Sequence, residues 1–207
     1  YIAHRKKKNW GMLTPLYEKA MNKHDSDKAK LVNKYVPLNE KTRVLDVGCA
    51  VGTFLLYVKK TFGSKISGVD FKEDLSYPGF DQIDFHQGLF YQQDFEDKKF
   101  DLITMWHFLE HCYDPKRSVQ KAKELLAPGG VFIAEVPRLD SVTYRLFKEK
   151  WPGVQAPQHT VLFDKKNFIK IIEDSGLEVV EYLPYGAFPA YFYIFAGAYF
   201  KIFGKGL

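Results

Sequence analysis

The sequence predicts an α/β protein whose mostly parallel sheet is covered by helices on both faces. Three observations carry this expectation. From Arg43 onward, short apolar runs alternate with segments of helical spacing, the pattern of a buried parallel sheet. A glycine turn, Gly48 to Gly52, joins the first run to the first helical segment. A length of 207 residues suits one sizeable domain with its own core.

The elements follow in order. The stretch Val44 to Leu55 reads VLDVGCAVGTFL: an apolar strand carrying Asp46, then the turn. Phe54, Leu55, Val58 and Phe62 next recur at helical spacing, and Gly63 stands where that helix should stop. Lys65–Asp70 reads as the second strand, Gln82–His86 as a short third and Phe100–Met105 as a buried fourth. Asp114 supplies an N-cap and Pro115 the first helical position, with Val119, Ala122, Leu125 and Leu126 on the apolar face. Ala127–Gly130 is expected to close that helix before a fifth strand, Val131–Val136. Asp164 caps another helix, in which Phe168, Ile171 and Ile172 face inward until Ser175-Gly176. Leu177–Leu183 is strand-like, and Tyr191–Phe195 is expected as a last, antiparallel strand. Residues 1–40 read as a helical flank or lid, 41–183 as the core and 184–207 as an aromatic end segment. The connection 137–163 is longer than a turn needs, and such connections are more often functional than idle.

Strand, glycine turn and helix form the unit in which backbone approaches a nucleotide-like ligand closely. Asp70, ending the next strand, is placed to hold two ribose hydroxyls. The dinucleotide pattern G-x-G-x-x-G is absent, because Ala50 and Val51 lie between Gly48 and Gly52, and no Lys-Ser or Lys-Thr follows to make a P-loop.

The turn instead resembles motif I of the class I S-adenosylmethionine-dependent methyltransferases, acid-x-G-x-G-x-G, with Ala50 at the middle glycine. Three further stretches match one branch of that family in order: FDLITMWHFLEHCYDP (Phe100–Pro115), LLAPGGVFIAEVPR (Leu125–Arg138) and APQHTVLFD (Ala156–Asp164). The branch carries Trp-His-x-x-Glu-His after the fourth strand and Pro-x-His before the last helix. The similarity covers roughly residues 40–180 and implies a single-domain, Rossmann-like fold with a mostly parallel seven-stranded sheet. It also implies S-adenosyl-L-methionine as cofactor, with Asp46, Gly48, Cys49 and Gly52 shaping the pocket for its methionine and ribose portions. Asp70 would hold the ribose, Phe71 would lie beside the adenine, and Trp106 and His107 would border the methionine end. One departure stands out. Family members often place an Asp after the glycine ending the third strand, whereas Leu89 follows Gly88 here, so the adenine contact falls to backbone at Gly88 and Leu89, to Gln87 or to another group.

Methyl transfer from a sulfonium requires in-line alignment of donor, methyl and acceptor, and an oxygen or nitrogen acceptor must also lose a proton. Histidine suits that task. His159, in the connection expected to cover the acceptor side, is the first candidate base; His111 is the second, with Glu110 positioned to orient it. Two alternatives remain open. His107-Phe108-Leu109-Glu110-His111 matches H-x-x-E-H, a zinc-hydrolase pattern, but barely a turn of helix fits before Asp114-Pro115. A non-catalytic domain that binds S-adenosylmethionine is the other. No metal ligands are assigned, and the expected acceptor is a small or lipid-linked molecule methylated at oxygen.

Cys49 and Cys112 form no C-x-x-C and no disulfide framework, which fits a reducing cytoplasm. Net charge is +5, with its densest cluster at His4–Lys8 read as a solvated tail, and no basic-aromatic stripe suggests nucleic acid. Ala187–Phe200 is uncharged and too short to span a bilayer. Besides a core strand, it admits a peripheral, membrane-facing reading, with Lys6–Lys8 drawn to anionic headgroups. The chain opens at Tyr1 and ends at Leu207, and further hydrophobic sequence beyond that end is expected.

Overall fold

Alternation of apolar strands with capped helices produces the architecture. The computed structural model describes residues 14–154, 157–186 and 190–203. Five strands form one sheet: β1 (Arg43–Val47), β2 (Lys65–Asp70), β3 (Asp84–Gln87), β4 (Phe100–Trp106) and β5 (Leu126–Glu135), in the order β3-β2-β1-β4-β5. β1 lies parallel to β2 on one side, with Asp46 beside Gly68, and parallel to β4 on the other, with Asp46 beside Thr104. Strand order therefore reverses at β1, and in such sheets ligands bind at the carboxyl ends of the strands flanking that reversal. Residues on β1, β2 and β4 are buried almost without interruption, as strands covered on both faces must be.

The helices are α1 (Thr14–Val32), α2 (Thr53–Phe62), α3 (Pro115–Leu125), α4 (Val142–Phe147), α5 (Lys165–Asp174) and α6 (Ala190–Phe203). Their ends follow local chemistry. Gly63 closes α2 in left-handed conformation, donating its N–H to Lys59 O. Asp114 Oδ1 accepts from Arg117 N–H at the start of α3. Asp164 and Asn167 form a reciprocal capping box on α5.

The described residues cluster into two compact units. One contains the chain up to Thr104 with Leu125–Ile133; the other contains Met105–Glu124 and the chain from Ala134 onward. In the first, Val44, Leu45, Leu55, Val58, Phe80, Phe90, Phe95 and Leu102 are buried; in the second, Met105, Leu109, Val119, Ala122, Trp151 and Phe163.

Several expected elements are corrected. β5 begins at Leu126, five residues early, because Gly130 lets the backbone run close to Phe100 O, where a Cβ would lie 2.9 Å away. Five strands stand among the described residues rather than seven. Leu177–Leu183 is irregular, for an extended segment becomes a strand only when a neighbouring backbone pairs with it. Tyr191–Phe195 lies inside the helix α6, which packs beside α4. No helix among the described residues is long and apolar enough to cross a membrane. The basic cluster Lys6–Lys8 lies outside the described residues.

Candidate active site

The first unit builds a cradle at the ends of β1 and β2. Gly48, Ala50 and Gly52 all adopt left-handed backbone, at φ 78°, 50° and 74°. The resulting tight loop is tied to β2, since the N–H groups of Gly48 and Cys49 both donate to Val69 O at 2.8 and 3.2 Å. A Cβ at position 52 would come within 2.1 Å of Ile83 Cδ1, and the left-handed backbone there strains any L side chain, so glycine is favoured. Ala50 occupies a region that costs an L-residue about 1–2 kcal/mol. Its N–H donates to Asp70 Oδ2 at 2.9 Å, which helps hold that conformation.

Asp70 is buried at the end of β2, and its Oδ1 accepts from Phe71 N–H at 2.7 Å. These two bonds fix the orientation of the carboxylate at the sheet edge. Gly88, at the end of β3, donates its N–H to Asp70 O at 2.9 Å, and Gln87 Nε2 donates to Phe71 O at 3.0 Å. Phe71, Gly88 and Leu89 thus gather at one sheet edge, with Phe71 56% exposed.

Charge in this unit is unbalanced. Asp46 is buried and accepts from Thr104 Oγ1 at 2.6 Å. Burial, together with nearby Asp25 and Asp70, pushes its carboxyl up to about 7, against the opposing pull of Lys28. Burial likewise lifts Asp25 on α1 to about 6. Burial and the neighbouring carboxylates hold the Cys49 thiol neutral, so it acts as filling beneath the loop.

The second unit gathers the remaining candidates. Trp106 is buried at the end of β4. His107 follows in left-handed backbone, at φ 52°, with its N–H donating to Glu135 O at 2.9 Å. Its Nδ1 meets Glu110 Oε1 and its Nε2 meets Glu135 Oε1, each at 3.2 Å. Burial works against the charged ring, but the two carboxylates outweigh it and raise His107 to about 9. His107 is therefore a clasped cation joining the ends of β4 and β5, and not a base.

Segment 158–161 folds back on the loop after β4. The N–H groups of Thr160 and Val161 donate to Glu110 O at 2.8 and 3.2 Å, and Thr160 Oγ1 donates to Cys112 O at 2.9 Å. This brings the His111 and His159 rings edge to face, 4.7 Å apart. His111 Nδ1 lies 2.9 Å from Gln158 O, and His159 Nδ1 lies 2.7 Å from Gly153 O. A carbonyl only accepts, so each ring carries a proton on Nδ1. Burial lowers the His159 pKa, which leaves an Nε2 lone pair near neutral pH. The two histidines expected near the acceptor are thus brought together although 47 residues separate His111 from its partner carbonyl at Gln158.

The cradle fits S-adenosylmethionine on its own chemistry. Left-handed backbone at Gly48, Ala50 and Gly52 shapes the loop, Asp70 lies buried beside it, and the buried Asp25 and Asp46 add acidic groups to the same unit, a set compatible with a cationic, hydroxyl-bearing ligand. Comparison with known proteins decides the matter: the methyltransferase-domain family matches residues 20–182. The chain belongs to the class I S-adenosylmethionine-dependent methyltransferases. S-Adenosylmethionine is the cofactor of that family. The ubiquinone biosynthesis O-methyltransferase of Coxiella burnetii is 33% identical over 117 residues, which cover 53% of this chain and 49% of that one. The chain thus spans about half the length of the curated relatives it matches. A Bacillus halodurans protein provisionally assigned as a methyltransferase superposes with a TM-score of 0.59 at 25% identity, covering 75% of this chain and 71% of that one. Haemonchus contortus phosphoethanolamine N-methyltransferase 2, solved with S-adenosyl-L-methionine, shares the fold at a TM-score of 0.56 and 17% identity, covering 73% of this chain and 36% of that one.

This methyltransferase also corrects two expectations drawn from its Trp-His-x-x-Glu-His stretch. Glu110 clasps His107 rather than orienting His111, whose Nδ1 is held by a carbonyl. The H-x-x-E-H hydrolase pattern fails because Leu109–His111 is a single 3-10 turn and both His107 nitrogens face carboxylates. Sequence reasoning missed Glu135 and Asp25. A carboxylate at the carboxyl end of a strand was the available signal for Glu135; Asp25 sits in polar helical sequence and carried none.

Proposed function

We propose that this methyltransferase acts on the oxygen of a small or lipid-linked acceptor. The carrying observation is the adjacent pair His111 and His159, whose Nδ1 bonds to carbonyls hold the rings in place. Bound S-adenosylmethionine supplies an electrophilic methyl on a positively charged sulfur. Asp70 and the Gly48–Gly52 loop hold the donor, while Asp46 offers compensating negative charge. His159 Nε2 receives the acceptor's hydroxyl proton, and the clasped His107 keeps the loop carrying Glu110 and His111 rigid. The O-methyltransferase relative supports oxygen as the accepting atom, while the phosphoethanolamine enzyme shares the fold and methylates nitrogen. Exposed apolar side chains on α6, Phe195 and Ile202 among them, support a lipid-linked member of this acceptor class.

Labelled methyl transfer to a panel of hydroxylated and amine acceptors tests the reading. His159→Gln is expected to lower turnover by about 100-fold or more, the scale of general-base catalysis, while donor affinity measured by calorimetry stays close to wild type. Asp70→Ala is expected to weaken donor binding by about 1–3 kcal/mol through lost buried hydrogen bonds. Full turnover in His159→Gln, or transfer to amines alone, overturns the assignment.

A further inference from the structure

We infer that Glu110, His111 and His159 form a binding site for a divalent metal ion of the zinc class, with an open position for an oxygen ligand. One potential ligand atom from each of these residues lies within 4.8 Å of those of the other two. The cluster also has the outer contacts that metal-binding side chains need. Each histidine directs Nδ1 to a backbone carbonyl, Gln158 O for His111 and Gly153 O for His159, and so turns Nε2 into the ligating atom. Metal-bound imidazoles are held in this way, with the second nitrogen engaged by a carbonyl or carboxylate.

Glu110 supplies the independent observation. Its Oε1 meets His107, whereas its Oε2 is buried and makes no hydrogen bond among the described residues. Buried carboxylate oxygens are costly when left unsatisfied, and a bound cation removes that cost. The His107 clasp fixes the carboxylate, and the bonds from Thr160 and Val161 to Glu110 O fix the spacing of the three ligands.

The donor set selects the ion. Two imidazoles and one carboxylate suit Zn(II) or Co(II), whereas Mg(II) and Ca(II) prefer oxygen shells. Tetrahedral zinc ligands stand about 3.4 Å apart, so closure on an ion requires side-chain shifts on the order of 1 Å. Three protein ligands leave one position open, and His111 and His159 are only half buried. The metal site stands on its own geometry; its use rests on the proposed O-methylation, in which an acceptor hydroxyl occupies the open position. While the ion is bound, coordination to it would lower the pKa of that hydroxyl, whose proton would pass to solvent water rather than to His159.

The test is titration of untagged, metal-stripped full chain with Co(II), followed by its visible d–d absorption, with Zn(II) as competitor. One equivalent of strongly absorbing, Zn(II)-displaceable Co(II) is expected. His159→Gln, His111→Gln and Glu110→Gln should each weaken it by at least about 100-fold. Calorimetry with S-adenosylmethionine on the same samples reports whether each variant is folded, and His159→Gln, at a half-buried position, is the decisive variant. Donor binding without a Co(II) band, or a band unchanged in His159→Gln, overturns the metal site and leaves the methyltransferase reading intact. A specific Co(II) site whose removal leaves O-methylation unaltered overturns the metal's role in activating the acceptor.

Discussion

Asp46 shows how one buried residue couples stability to pH. Its folded pKa of about 7 lies above the ordinary 3.8 because burial disfavours the ionised form. A carboxyl whose pKa is raised on folding contributes most when protonated. Its contribution is therefore lost progressively as pH climbs from about 4 to about 7 and stays lost above that. Asp46→Asn keeps the oxygen that accepts from Thr104 and removes the charge. In the donor-free protein it is expected to raise stability at pH 8, by an amount on the order of 3 kcal/mol, with the gain shrinking towards pH 5. Urea midpoints at the two pH values check this, and equal or lower stability at pH 8 contradicts it. The same residue should favour the cationic donor, so the variant that stabilises the fold is expected to bind S-adenosylmethionine less tightly.

At the scale of elements, the long connection after β5 organises the second unit. Trp151 is buried, stacks on Tyr193 of α6 with ring centroids 5.3 Å apart, and meets the Tyr144 edge on α4. Burial, with Glu110 and Glu135 nearby, raises the Tyr193 pKa, so its phenol stays protonated. Replacing Trp151 by alanine is expected to cost about 3–5 kcal/mol by opening a cavity where α4 and α6 meet. A urea midpoint indistinguishable from wild type would show that the stack contributes nothing. Element identity was legible wherever a capping or breaking residue marked the ends. Gly63 ended α2, Asp114-Pro115 opened α3 and Asp164 opened α5 as read from the sequence. It failed for Tyr191–Phe195, since a short aromatic run fits a buried strand or an apolar helix equally well.

For the whole molecule, the net charge of +5 and the apolar side chains of α6 make membrane contact a testable proposal. Ile194, Phe195, Tyr199 and Ile202 are exposed on α6, as are Val142 and Leu146 on α4. Cosedimentation with anionic vesicles is expected for the wild-type chain and lost in the double variant Phe195→Glu, Ile202→Glu, because a charged residue resists burial among acyl chains. Equal sedimentation of both proteins would remove α6 from any membrane contact.

The sequence by itself determined the parallel α/β core, the glycine turn and Asp70, because strand–turn–helix geometry depends on residues close together along the chain. His111 and His159 were visible as residue types, but their meeting depended on Thr160 and Val161 bonding back to Glu110 across some fifty positions. The clasp of His107 by Glu110 and Glu135 and the raised pKa values of Asp25 and Asp46 were likewise decided only by tertiary structure. Burial and charge at a site depend on which distant segments pack against it, and local pattern carries no record of that packing.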